Sequence, residues 1–159
     1  MAYAFNLPES MVVTVALKPA ADAAGRTGDY VRISKAHKTY IVANINQGNA
    51  ATIALTLSKA TAAAGTGATA VTELLPIWSC ADVETSNVVT RQTDAASFTT
   101  SAATTVKTVI FEIDAGALGA TYDFVALVTG ASNAANITSA TAIQIPHVAV
   151  AGGTNIMVD

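Results

Sequence analysis

Thr39-Tyr-Ile-Val-Ala-Asn-Ile-Asn46 and Ala51-Thr-Ile-Ala-Leu-Thr-Leu-Ser58, joined through Gln47-Gly-Asn49, decide the fold class of this chain. In the first arm Ile41, Ala43 and Ile45 fall on one face, and in the second Ile53, Leu55 and Leu57 do. Side chains of an extended segment alternate between two sides, so a period of two with one apolar face marks a half-buried strand. Asn46-Gln-Gly-Asn49 tolerates the positive φ of a tight turn, and the two arms are expected to pair as a β-hairpin.

The same period runs outward in both directions. Met11, Val13, Val15 and Leu17 share a face in Met11–Lys18, Asp29–Ser34 alternates, and Val109, Phe111 and Ile113 align in Lys107–Ile113. Tyr122–Val128 and Asn136–Ile145 read as a second hairpin across Thr129–Ala135. Its centre, Val125–Ile137, resembles Val42–Ile53 with one residue inserted. Ala60–Ala64 could make one helical turn, but Gly65 and Gly67 stop it. Pro76 reduces Val71–Trp78 to an edge or bent strand, because proline cannot donate to a ladder. Short strands are expected near Val88-Val89 and at Ser97–Thr100, and Asp114 can cap a single helical or 3₁₀ turn. The pattern predicts an all-β, antiparallel two-sheet sandwich, jelly-roll-like, with very little helix. Residues 1–8 are expected to be an extended N-terminal arm and residues 9–159 a single sandwich domain.

Composition points to a component of an assembly. Charged residues make up 12% of the chain, about half the share in an ordinary soluble domain. A surface this poor in charge is expected to be buried against copies of itself or a larger partner. From Phe124 to Val158 there is no Asp, Glu, Lys or Arg, which predicts a buried central hairpin or an assembly face. The charges present are unevenly spread. Lys18, Arg26, Arg32, Lys35 and Lys38 stand against only Asp22 and Asp29 between positions 18 and 38, a local +3 in a chain of net −3. No 18-residue apolar window lacks several Thr, Asn or Gly, and no export signal is expected at the N-terminus.

The residues supply no catalytic arrangement. Cys80 is the only cysteine, and neither a CxxC nor a Cys/His metal cluster occurs. His37 lies inside the basic cluster and is expected to be a solvated strand-end residue; His147, after Pro146, is expected in the core or an interface. Gly65-Thr-Gly67 lacks the Lys-Ser/Thr of a phosphate loop. No catalytic, cofactor-binding or metal residue is predicted, no enzyme activity, and no nucleic-acid or membrane partner. Trp78, beside Pro76 and Cys80, is expected in the core.

Several segments resemble small tailed-bacteriophage virion proteins. They are Pro19-Ala-Ala-Asp-Ala-Ala-Gly-Arg-Thr-Gly-Asp-Tyr30, Ala36-His-Lys38, Gln47-Gly-Asn-Ala-Ala51, Pro76-Ile-Trp78, Thr90-Arg-Gln-Thr-Asp94 and Gly130-Ala-Ser-Asn-Ala-Ala-Asn-Ile-Thr138. The resemblance implies a virion structural protein, most like a capsid decoration (cement) protein, assembled in the host cytoplasm and carried on the head exterior. Its expected partners are the major capsid protein and copies of itself, as a dimer or trimer. The alternative is a fibre- or tail-associated receptor- or carbohydrate-binding module. Contacts with capsid or neighbouring subunits are expected from Tyr3, Phe5 and Leu7 of the arm and from Arg26, Arg32, Lys35 and Lys38.

Overall fold

The structure, a computed structural model, describes residues 10–147. The proposed arm with Tyr3, Phe5 and Leu7 lies outside those residues. Twelve strands follow one another: β1 (Val12–Ala21), β2 (Arg26–Thr27), β3 (Val31–Arg32), β4 (Ala36–Gln47), β5 (Ala54–Ala60), β6 (Thr69–Ala70), β7 (Ile77–Cys80), β8 (Thr90–Arg91), β9 (Ser97–Thr99), β10 (Val106–Asp114), β11 (Phe124–Thr129) and β12 (Asn136–Pro146). Strand accounts for 53% of the described residues and helix for 3%, which meets the expectation of an all-β chain. A 3₁₀ turn at Ala115–Leu118 is capped by Asp114, whose side chain accepts from the Gly116 N–H at 2.9 Å.

Two antiparallel sheets make a sandwich. The first has the order β1-β12-β4-β10-β7-β8; the second runs β2-β11-β5-β6, with β3 also on β11 and β9 also on β5. Alternation sends Ile41, Ala43, Ile45, Val109, Phe111, Ile113, Ala140 and Ala142 inward from the first sheet. They meet Leu55, Leu57, Val125 and Leu127 of the second. Phe111 is fully buried, and removing an aromatic side chain from such a site costs about 3–5 kcal/mol.

Neither expected hairpin forms. β4 belongs to the first sheet and β5 to the second, and β11 and β12 are divided the same way. β4 pairs with β12 from Ala36↔Pro146 to Gln47↔Asn136, and β5 pairs with β11 from Leu55↔Thr129 to Ala60↔Phe124. Each segment expected to be a hairpin is an arch that crosses from sheet to sheet. The period of two cannot distinguish these cases, because both arms turn their apolar face to the same core either way. The similarity of Val42–Ile53 to Val125–Ile137 is therefore the similarity of two arches stacked in opposite directions. The described part of the charge-free run supplies one interior strand to each sheet, β11 and β12, in place of the buried central hairpin expected. Strand near Val88-Val89 falls instead at Thr90-Arg91.

Candidate interaction surface

Three of the six segments carrying the phage resemblance meet at one end of the sandwich. Asp22 is fully buried, and its carboxylate accepts from Arg26 Nε (3.1 Å) and Nη2 (2.9 Å), Thr129 Oγ1 (2.9 Å) and Thr138 Oγ1 (2.5 Å). Asn136, also buried, donates to the Ala51 carbonyl (2.8 Å) and Ser132 Oγ (2.9 Å) and accepts from the Asn49 N–H (2.8 Å). Gly48 sits where a Cβ would come within 2.7 Å of the Ala135 carbonyl. These bonds lock the two arches to each other and to the β1–β2 loop. Two other segments meet on the first sheet: Trp78 pairs with Arg91, whose guanidinium lies 4.9 Å from the indole ring. Each of these five segments holds the fold together.

The basic cluster is divided in space. Arg26 donates to the Lys18 (2.8 Å), Ala20 (2.9 Å) and Thr138 (2.8 Å) carbonyls besides Asp22, so its guanidinium is engaged inside the fold. Arg26 and Arg32 pair with Thr129 and Phe124, five residues apart on β11, a separation of roughly 17 Å. Arg32 Nε donates to Ser34 Oγ at 3.2 Å, and its guanidinium lies 5.8 Å from the Phe124 ring. Lys38 belongs to the other sheet and is ion-paired with Glu112, which holds its ammonium above the usual lysine range. Lys35 is exposed. Of the four basic positions expected to contact a partner, Arg32 and Lys35 therefore keep the most freedom. His37 is exposed as expected. His147, expected in the core or an interface, is not in the core: it is exposed too, and its ring lies 4.1 Å from that of His37.

Cross-strand register creates a feature on the outer face of the first sheet that no single segment reveals. Val15, Thr141, Val42, Ile110, Trp78 and Arg91 form one row across all six strands. Val13, Ile143, Tyr40 and Glu112 form the next. Val13 and Val15 are 47% and 58% exposed. Trp78, expected in the core, is only partly buried. On one side the stripe is bounded by Ile145, Lys38 and Asp114, on the other by Ser139, Asn44 and Thr108. No described element covers it. The outer face of the second sheet is different, carrying Thr27, Val128, Thr56 and Ser97 in register. A single-residue alternation reveals which residues point outward, but only cross-strand register lines them up.

Buried charged groups elsewhere have partners within the fold, whereas the side-chain oxygens of Gln47 and Gln144 have none among the described residues. Lys59 is ion-paired with Glu73 and lies 4.7 Å from the Tyr122 ring. Lys107, pushed below the ordinary lysine value by burial, donates to the Ala103 carbonyl and to Thr105 Oγ1 (2.9 Å). It borders a recess of about 230 Å³ with Cys80 and Phe98. The Cys80 thiol donates to the Ser86 carbonyl at 2.9 Å. Among the described residues, no three His, Cys, Asp or Glu side chains are grouped to hold a metal ion, and no helix is long and apolar enough to cross a membrane.

No family model and no curated protein matches this chain. Among solved structures it is similar to the SPBc2 prophage-derived protein YomS, at 9% identity and a TM-score of 0.48. The alignment covers 84% of this chain and 91% of that one. It is a likeness of fold at most, and no residue here takes a role from it.

Proposed function

We propose that this chain is a structural protein of a tailed-bacteriophage particle, which binds the capsid shell and stabilises it by burying surface, without catalysis. The observation that carries this reading is the uncovered apolar stripe on the outer face of the first sheet, in a chain with only 12% charged residues. Monomeric proteins rarely leave large apolar patches in water, and where such patches occur they mark interaction sites. The sequence resemblance, which spans residues 19 to 138, supplies the particle. Arg32 and Lys35 and the arm with Tyr3, Phe5 and Leu7 are the proposed contacts with the shell, and copies of this chain are the second partner.

The fold is read as a jelly roll, with β1-β12-β4-β10 in one sheet, β2/β3-β11-β5-β6/β9 in the other, and β7 and β8 added beyond β10. That architecture is frequent among viral shell and lectin domains. The alternative, a receptor- or carbohydrate-binding module, is favoured by one observation, the surface position of Trp78. Arg91 already occupies its ring face, and a sugar would have to displace it.

The test is to add purified protein to phage heads that lack it and to image them. Saturable density at symmetric positions on the shell is the expected result. Failure to bind heads, together with binding to host cells or a glycan array, would replace this reading with the alternative.

A further inference from the structure

We infer that the outer face of the β1-β12-β4-β10-β7-β8 sheet is the contact surface for a second copy of this chain, packed sheet against sheet. This deepens the reading above by naming the face that copies of the chain use, but it concerns the isolated protein and needs no particle. Three observations select a copy as the occupant.

The first is area. Six strands about 4.8 Å apart, four of them nine to twelve residues long at about 3.4 Å each, give a face of roughly 700 Å². A standard interface takes about 800 Å² from each partner. The face is thus large enough for a dimer by itself.

The second is charge. The two apolar rows and the row bounding them carry Lys38 and Arg91 against Glu112 and Asp114, two of each sign. A copy related by a two-fold axis meets no like-charge penalty, whereas a strongly acidic or basic partner finds no complementary field. Isologous contact needs this kind of self-complementarity. The stripe runs the full width of the sheet, so a two-fold axis between β4 and β10, parallel to the strands, lays each row on its own copy and sets Lys38 opposite Asp114.

The third is the edge. β1 could in principle extend the sheet into a neighbour, but its register shifts twice, between Val15 and Leu17 and again between Leu17 and Ala20, and it contains Pro19. Bulges and proline blunt an edge against strand addition. Association is left to the face, where aligned sheets pack about 10 Å apart with side chains interleaved.

The experiment uses the full chain without capsid. Sedimentation equilibrium at tens of micromolar should give twice the 16.1 kDa chain mass. Val42→Lys and Ile110→Lys each put two charges at the centre of a two-fold contact and should raise the dissociation constant at least about 100-fold. Thr56→Lys, on the outer face of the second sheet, should leave it unchanged. Should either stripe variant fail to fold, Trp78 reports in the unaltered protein. As the chain's only tryptophan, it should become two- to threefold more accessible to acrylamide on dilution through dissociation. A wild-type monomer overturns the inference, as coverage of the face by the chain's own residues 1–9 or 148–159 would produce. So does an oligomer that survives both lysine substitutions, or one whose Trp78 quenching ignores dilution. Failure to bind heads with dimerisation intact would remove the particle reading and leave this one standing.

Discussion

Replacing Asp22 with Ala tests whether the Lys18–Lys38 segment serves the fold or a partner. The Asp22 carboxylate is wholly buried and accepts four hydrogen bonds, two of them from Arg26. Removing one member of a buried ion pair costs about 3–5 kcal/mol, because the other is left uncompensated. Arg26 softens the loss: its side chain is 20% exposed, and three backbone carbonyls still accept from it. The expected destabilisation is therefore about 3 kcal/mol. In a protein of this size that lowers Tm by about 6–12 °C. Urea unfolding followed by circular dichroism measures it, with Asp22→Asn retaining the shape and losing the charge. Arg26→Gln should cost at least as much, since it strands a carboxylate with no exposure. The double variant should show a coupling of about 1.5 kcal/mol or more. An Asp22→Ala protein within about 1 kcal/mol of wild type would refute the argument. So would an Arg26→Gln protein of unchanged stability that attaches more slowly to heads.

Other outcomes follow from the same geometry. The Lys59 ammonium holds the Glu73 carboxyl below its ordinary value of 4.5; a depressed folded-state pKa stabilises above that value and loses its contribution as pH falls through the folded one. Glu73→Gln should accordingly flatten the acid side of a stability-against-pH curve measured from pH 7 down to 3. Gly28→Ala should cost about 2–4 kcal/mol in urea unfolding, because its Cβ would stand 2.2 Å from the Ala16 carbonyl oxygen. Arg32→Gln with Lys35→Gln should slow attachment to heads severalfold at low salt and leave stability within about 0.5 kcal/mol; an unchanged rate and salt dependence would make these residues a solvated surface. Deleting residues 2–7 should weaken attachment while the unfolding midpoint of the remaining chain stays put, and equal loss of both would assign that segment to the fold.

Local pattern made much of the molecule legible. Most strand positions and inward faces and the short capped turn at Asp114 follow from side-chain alternation and from what Asn, Gly and Asp do to a backbone; β1 departs, because its register shift after Val15 leaves Val13 and Val15 outward and turns Leu17 inward. The described part of the charge-free run, through β11 and β12, lies inside both sheets, though as an arch and not as the hairpin expected. What could not be read were distances. Arg26 and Arg32 are near neighbours in sequence, yet pair with opposite ends of β11. Glu112 is remote in sequence from Lys38 and directly bonded to it. Trp78 looked like core because apolar residues flank it, but alternation along β7 turns it outward.

The amino-acid order alone thus determined that the chain is β, most of the residues that form its core and that it is poor in charge, because these depend on periods of two and on composition. Tertiary structure decided which strands pair, which charges cancel and which face stays uncovered. Backbone hydrogen bonds are blind to side-chain identity, so nothing within β4 or β5 chooses between a hairpin and an arch. The choice is made by long-range contacts, Asn136 with Ala51 and Asp22 with Thr138 among them, which form only once both arches have crossed the core.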